Sequence, residues 1–173
     1  TTAIDNSIKI LKENKEKWAR LPIAKKIEFI NQILGNLKKH APEWVDVATA
    51  IKQIDAKSPW VGEEWIAGIW ALAAGLQGYK KTLTALAKGK IPKFKKIEKT
   101  SDGRTVIQIY PNNLAESLLL NGVSAEVWMQ KEVTPENLDN YIATFYKQKD
   151  PEGKVALVLG AGNVNSIAAY DSL

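Results

Sequence analysis

Apolar residues recur every three or four positions over the first 87 residues, which is the spacing of one helix face. Prolines divide this stretch, and because proline is tolerated in a first turn we expect helices to begin at Pro22, Pro42 and Pro59. The last of them is expected to run from Pro59 to Ala87 and to end at Gly89. Its predicted inward face comprises Trp65, Ile66, Ile69, Trp70, Ala73, Leu76, Leu83 and Leu86.

After residue 90 the apolar pattern changes from helical to alternating, which is typical of strands. We predict a hairpin in which Lys95 to Thr100 pairs with Arg104 to Tyr110, because the Asp102-Gly103 turn supplies the positive φ that tight turns require. The hairpin is expected to project and to be poorly buried. The pattern beyond it predicts a helix at Asn113 to Leu120, a strand at Ala125 to Gln130 and a helix at Thr134 to Lys149.

The segment from Lys154 to Leu159 is continuously apolar after its lysine, as in a parallel strand covered on both faces. A parallel strand needs a crossover of about a dozen residues before its partner returns, so we expect an N-terminal fragment of a larger α/β protein. The predicted organisation is a helical layer over residues 1–90, a hairpin over 91–111, and over 112–173 an α/β segment that begins a Rossmann-like parallel sheet.

Composition narrows the function classes. The chain has 173 residues and no cysteine, which excludes disulfides, thiolate metal sites and a cysteine nucleophile within it. No apolar run is long enough for a membrane span, so we expect a cytoplasmic protein. Residues 1–100 carry a net charge of +9 and residues 101–173 carry −4. The basic half favours either solvated helix faces or an interaction module for an acidic partner or nucleic acid.

Other polar and aromatic residues have structural interpretations. His40 is predicted in the last turn of a helix, where a cation suits the helix dipole, and Glu63 and Glu64 near a helix start are explained in the same way. The six tryptophans are expected to be core anchors. The densest basic run is interpreted as the border of an exposed hairpin, without specific nucleic-acid binding. The run consists of Lys88, Lys90, Lys93, Lys95, Lys96 and Lys99.

A glycine-rich loop follows the apolar segment and precedes a predicted helix. It reads Gly160-Ala161-Gly162-Asn163, and the third glycine of a dinucleotide fingerprint is replaced by Asn165. Such a loop can direct backbone N–H groups at a nucleotide, or it can simply be a tight strand-to-helix turn. A side-chain amide at Asn163 would be able to donate to a developing oxyanion.

The order of helical region, hairpin, apolar strand and Asn-containing loop resembles the start of the aldehyde dehydrogenase superfamily. In that family the loop usually reads Pro-Trp-Asn, and Ala161, Gly162 and Asn163 fall on those positions. The Pro and Trp are missing here, and an extra helix, strand and helix lie between Pro111 and Lys154. With these departures, the chain resembles a divergent branch of the superfamily, closer to its acyl-CoA reductases.

The resemblance implies an oxidoreductase that uses NAD or NADP and acts on aldehydes or acyl thioesters. It makes Asn163 the catalytic oxyanion donor, gives Gly160, Ala161 and Gly162 a cofactor-binding role, and implies no metal. The catalytic cysteine would lie beyond this chain, so the chain alone is expected to be inactive. Its implied partners are the remainder of the parent chain, the small-molecule substrate and further copies in a homo-oligomer, to which the hairpin contributes.

Overall fold

The computed structural model describes residues 2–91, 93–160, 164 and 166–172. It divides into two compact units. The helical unit contains residues 1–88 and 150–173, and the sheet unit contains residues 89–149. The predicted organisation instead kept 112–173 together, whereas the structure groups 150–173 with the helices.

The helical unit is built from two long helices, one composite helix and a short C-terminal helix. Helix α1 spans Thr2–Ala19 and α2 spans Ile23–Ile51. The composite helix consists of α3 (Val61–Glu63), a π-helix (Glu64–Trp70) and α4 (Ala71–Ala87), and α7 spans Ser166–Asp171.

Helix α2 begins after Pro22, as predicted, but it passes through Pro42 instead of starting there. Interior proline removes one backbone hydrogen bond and crowds the preceding turn. The helix continues because its apolar face, including Leu37, Ala41 and Val45, is buried and α2 packs on α4. Tertiary burial therefore outweighs the local cost. The placement of His40 in a last turn was wrong, because α2 extends eleven residues further, to Ile51.

The composite helix runs over residues 61–87 and ends as predicted, with Gly89 at φ +68° just beyond its cap. Leu72, Leu76 and Leu83 are buried along α4. The predicted inward positions Trp65 and Trp70 are exposed. The wider turn of the π-helix changes the phase of the apolar face over this segment, which the regular helical spacing does not anticipate.

The tryptophans are not core anchors. Five of them expose 41–68% of their surface, and Trp44 is half-buried. The exposed five are Trp18, Trp60, Trp65, Trp70 and Trp128. The buried core of the helical unit is instead aliphatic, because its close helix contacts are made by leucine, alanine, valine and isoleucine.

The sheet unit contains three antiparallel strands in the order β1-β2-β3. Strand β1 (Ile97–Lys99) pairs with β2 (Thr105–Tyr110) through the predicted turn, where Gly103 has φ +85°. Strand β3 (Ala125–Trp128) forms as predicted and pairs with the other edge of β2, with a bulge between Gln108 and Tyr110.

Only one strand of the hairpin is poorly buried. Strand β1 is exposed, but Thr105, Val106 and Ile107 of β2 are buried. Val133 and Leu138 form a small core with Ile107. The expectation of an exposed hairpin was wrong for β2, because β2 pairs with β3 and packs against this small core. The alternation of apolar and polar residues along β2 does not reveal either contact.

The helices of the sheet unit are short. Helix α5 (Leu114–Leu119) forms as predicted, and its cap Asn113 accepts a hydrogen bond from the Glu116 N–H. The predicted helix from Thr134 to Lys149 is replaced by a 3₁₀ turn (Leu138–Tyr141) and a one-turn helix, α6 (Thr144–Lys147). Asn137 accepts from the Thr134 N–H and donates to the Glu132 carbonyl, which favours a turn, and Ala143 at φ +53° interrupts the helix.

The parallel strand expected over Lys154 to Leu159 does not form; residues 151–160 have no regular secondary structure. A strand requires a neighbour to satisfy its backbone, and the described residues contain no parallel strand that pairs with it. Its side chains are consequently exposed, 41% at Val155 and 83% at both Leu157 and Leu159. The chain is therefore a mixed helical and sheet protein, α/β only in that coarse sense.

No helix in the described part of the chain is long and apolar enough to cross a membrane.

The Thr105 hydroxyl makes a buried hydrogen bond in the sheet unit. Thr105 is fully buried, and its Oγ1 donates to the Val133 carbonyl at 2.6 Å. Thr105→Val keeps the shape but leaves that carbonyl without this donor, so we expect β2 to lose about 1–3 kcal/mol of protection in native-state hydrogen exchange. Thr82→Val, on the partly exposed surface of α4, should change stability by less than about 0.5 kcal/mol. Equal effects from both variants would contradict the assignment.

Candidate functional site

Three of the four residues proposed for the glycine-rich loop site, Ala161, Gly162 and Asn163, lie outside the described residues. Gly160 is described. A Cβ added there would lie only 2.6 Å from the Cβ of Ala168 on α7, so no larger residue fits without a shift. The glycine thus has a packing reason at the point where the chain approaches α7.

Ser166, which follows the glycine-rich loop in the sequence, is hydrogen-bonded to another helix. It is the first residue of α7, it is 4% exposed, and its Oγ donates to the Ala67 carbonyl of the π-helix at 2.5 Å. Helix α7 also packs on α4. Sequence reasoning assigned Ser166 no role, although a serine at the start of a helix is a recognisable signal for a hydrogen-bonding position.

The segment that leads to the glycine-rich turn is held against α1 at its beginning. The Gly153 N–H donates to Glu16 Oε2 at 3.1 Å, and Lys15 Nζ donates to the Gly153 carbonyl at 2.8 Å. Arg20 donates through Nε and Nη2 to one oxygen of Asp150, at 3.0 and 2.8 Å. We call these five residues the α1 clamp.

Close backbone contact is part of the clamp. Gly153 is buried, and a Cβ at this position would lie 2.3 Å from the backbone carbon and oxygen of Lys15. These atoms belong to a helix backbone and cannot rotate away. Gly153 is therefore required by space, because any side chain there would overlap the α1 backbone.

Charges in the clamp favour the ionised form of Glu16. The pKa of Glu16 is lowered, chiefly by the hydrogen bond from the Gly153 N–H; burial opposes this shift, and Lys15 and Arg20 add to it. The pKa of Arg20 is raised, first by its hydrogen bond to Asp150.

The lowered pKa of Glu16 predicts an acid-sensitive clamp. Because the pKa of Glu16 is lower in the folded than in the unfolded chain, its ionised carboxylate stabilises the folded state at any pH above the unfolded glutamate value of about 4.3. This stabilisation is lost as the pH falls through the lower pKa of the folded state. We expect the Gly153 amide proton shift to titrate with Glu16 below about pH 4.3 in NMR spectra. The titration should disappear in Glu16→Gln, and its persistence in that variant would contradict the contact.

A groove of about 580 Å³ lies between α1 and the segment beyond the clamp. Leu11 and Trp18 contribute its α1 side, and Val155, Ala156 and Val158 contribute the other side. Trp18 stacks with Phe29 at 6.0 Å between ring centroids, and Lys26 Nζ lies 5.5 Å from the Trp18 ring. Burial lowers the pKa of Lys26.

An ion pair is buried elsewhere in the helical unit. Lys52 Nζ lies 2.5 Å from Glu64 Oε1, and the Glu64 side chain is 3% exposed. This pair joins the end of α2 to the π-helix. The helix-dipole explanation for Glu64 is thus incomplete, because its carboxylate is buried beside the Lys52 ammonium group. The sequence gives no sign of this pair, because the two residues are twelve positions apart and separated by a loop.

His40 lies on the exposed side of α2, with its Nδ1 3.1 Å from Glu43 Oε2. It borders an open apolar depression of about 410 Å³ together with Trp44, Val47 and Ile51. Within the described residues, no cluster of three or more His, Asp or Glu side chains could hold a metal ion.

Comparison of the chain with protein-family models, curated proteins and solved structures finds no match.

Proposed function

We propose that this chain is the N-terminal part of an NAD(P)-dependent oxidoreductase of the aldehyde dehydrogenase superfamily, acting on aldehydes or acyl thioesters. The observation that carries the proposal is the apolar segment 154–159, which leads directly into Gly160 and α7 while leaving Leu157 and Leu159 83% exposed. Such a segment has the composition of a buried strand. Parallel strands from the remainder of the proposed enzyme would pair with it, and the helices that cover such a sheet would bury its apolar side chains.

The surrounding structure supports a strand-to-helix crossing at this point. Gly160 approaches α7 too closely for a side chain, and Ser166 fastens α7 to the π-helix. Gly160 and Ser166, on either side of the loop, are therefore each in close contact with a helix. In the proposed enzyme this loop carries Asn163 at the carboxyl end of the first parallel strand.

Asn163 would act as an oxyanion donor. When a thiolate from the later part of the enzyme adds to the substrate carbonyl carbon, negative charge develops on the carbonyl oxygen, and the Asn163 amide N–H donates to it. NAD or NADP, when bound, would supply the hydride acceptor for the oxidation of an aldehyde. Gly160, Ala161 and Gly162 would allow the backbone to approach that cofactor.

The proposal is tested on the longest open reading frame that contains this chain. We expect it to continue in an α/β pattern with a cysteine in a glycine-rich stretch. The purified product should reduce NAD(P) in the presence of an aldehyde, or oxidise NAD(P)H in the presence of an acyl thioester, and the cysteine-to-alanine variant should not. A reading frame that stops at Leu173, or a product inactive with both substrate classes, would overturn the proposal.

Exposed lysines favour a second candidate, a basic module that binds an acidic partner or nucleic acid. All six lysines of the run are exposed, and Lys96 pairs with Glu98 at 3.0 Å. We expect only weak, sequence-independent association with nucleic acid that decreases steeply with added salt. Fluorescence anisotropy with labelled oligonucleotides tests this. Tight binding of one sequence at about 150 mM salt would favour the module over the enzyme.

A further inference from the structure

We propose that the outer edge of strand β3 is an interface at which two copies of this chain pair, β3 against β3, to form a symmetric dimer. This inference goes beyond the proposed function and does not depend on it. Strand β3 is the last strand in the order β1-β2-β3, and Glu126, Val127 and Trp128 in it are exposed. The backbone groups along such an edge are open to pairing with a further strand.

The two edges of the sheet differ in how they are protected against pairing. Strand β1 contains Lys99 and follows Lys95 and Lys96, and lysines of this kind discourage edge-to-edge association. Around β3, residues 121–130 include no lysine, arginine or proline, and Glu126 is their single charged residue. The β3 edge is therefore the one that is open to another strand.

The hydrogen bonds of the sheet indicate which backbone groups of β3 face outward. The Met129 N–H, just beyond the strand, donates to the Thr105 carbonyl of β2 at 2.9 Å. Because successive residues of a strand direct their N–H and C=O groups to opposite sides, Val127 is also directed at β2. Glu126 and Trp128 consequently direct their backbone groups away from the sheet. A partner strand must pair with these two residues.

One symmetric register suits these outward-facing residues. In an antiparallel pair centred on Val127, Glu126 of each copy exchanges both backbone hydrogen bonds with Trp128 of the other copy, and the two Val127 side chains meet. A pair centred on Glu126 would set two carboxylates directly opposite each other, which is destabilising. A pair centred on Trp128 would require Gln130, which lies beyond the strand. The interface is therefore centred on Val127.

The side chains of β3 complement a second copy in this register. Val127 lies opposite Ile107 of β2, yet Val127 is 40% exposed whereas Ile107, in the small core, is 3% exposed. The Val127 of a second copy supplies the missing apolar neighbour. The other face places Trp128 opposite the second copy's Glu126, and within one chain the Trp128 indole N–H already donates to Glu126 Oε2 at 3.3 Å. Strand β3 is thus complementary to itself, which favours a second copy over an unrelated strand.

Disulfide cross-linking of the 173-residue chain tests the register, because the chain has no cysteine of its own. In the proposed pair the two Val127 Cα atoms are about 4.5 Å apart, which a disulfide can span. We expect mild oxidation to convert Val127→Cys largely to a covalent dimer. Glu126→Cys is the matched control and should stay monomeric, because its two copies lie more than about 7 Å apart. Equal cross-linking of the two variants, or none in Val127→Cys, would contradict the pairing.

Sedimentation equilibrium on the unmodified chain measures the association itself. One strand edge offers less contact than the roughly 800 Å² per partner of a standard interface, so we expect a reversible dimer with a Kd on the order of 10–100 μM. The mass should rise with concentration from 19.1 kDa towards twice that value. A chain that stays monomeric at about 1 mM would overturn the proposal. Assemblies larger than a dimer would also overturn it, because they require unlike surfaces to meet head to tail.

A lysine placed on the β3 edge should prevent the pairing. We expect Trp128→Lys to raise the Kd of the dimer at least about 10-fold. Glu98→Lys is the matched control, because Glu98 and Trp128 both lie opposite Val106, on the two outer edges of the sheet. It should leave the Kd within about 2-fold of wild type. An unchanged Kd in Trp128→Lys would refute the interface, and if that variant fails to fold, cross-linking of Val127→Cys decides the question.

Discussion

Asn163→Ala in the longer enzyme that we propose is expected to lower kcat by about 100- to 1,000-fold, because removal of one oxyanion donor has that cost in acyl-transfer enzymes. The interaction exists only while charge develops on the substrate oxygen. Cofactor binding should therefore remain nearly intact, and kcat and kcat/KM should fall together. Steady-state kinetics under conditions where the chemical step limits the rate provide the measurement.

Asn165→Ala is the matched control for Asn163→Ala. It removes an amide from the same loop but falls outside the three positions that match the Pro-Trp-Asn pattern. We expect its kcat to stay within about 3-fold of wild type, well short of the effect of losing an oxyanion donor. Unchanged turnover in Asn163→Ala would remove the catalytic role and leave a strand-to-helix turn.

Lys52→Met is expected to destabilise the helical unit by about 3–5 kcal/mol, because it removes the cation beside a carboxylate that is 3% exposed. The methionine fills similar space, so the loss is electrostatic and not a cavity. Urea unfolding followed by circular dichroism at 222 nm measures the change. Glu64→Gln, which removes the charge and keeps most of the shape, should cost less.

An exposed ion pair provides the control for the buried one. Lys9 and Glu13 lie 3.9 Å apart on α1 with both side chains more than half exposed. Lys9→Met should change the free energy of unfolding by less than about 1 kcal/mol, because solvent already screens that pair. The double variant Lys52→Met with Glu64→Leu should recover part of the loss, since it leaves no buried charge. A Lys52→Met loss as small as that of Lys9→Met would contradict the buried pair.

Local residue chemistry determined several elements of the fold in advance. Gly89 ends the long helix because it tolerates positive φ, Gly103 closes the hairpin for the same reason, and Asn113 caps α5 with its side chain. In each case the cause lies within a few residues of the effect. Such features are independent of what packs against them, so they are readable from the sequence.

Features that depend on neighbours were predicted less well. The spacing of Trp65 and Trp70 indicates an inward face only if the helix is regular, and the π-helix changes that phase. Pro42 indicates a helix start only if no burial supports the turns on both sides. The strand predicted at Lys154 to Leu159 has the right composition, but among the described residues no strand pairs with this segment, and composition does not supply a neighbour.

The candidate site shows the same division. The glycine-rich loop and the amide at Asn163 are predictions from residue types alone, and Ala161, Gly162 and Asn163 lie outside the described residues. The clamp of Glu16 on Gly153 and the bond of Ser166 to Ala67 join residues 137 and 99 positions apart. The tertiary structure decided them, because such contacts depend on which helix surfaces meet, and the free energy of that packing is shared among many residues at once.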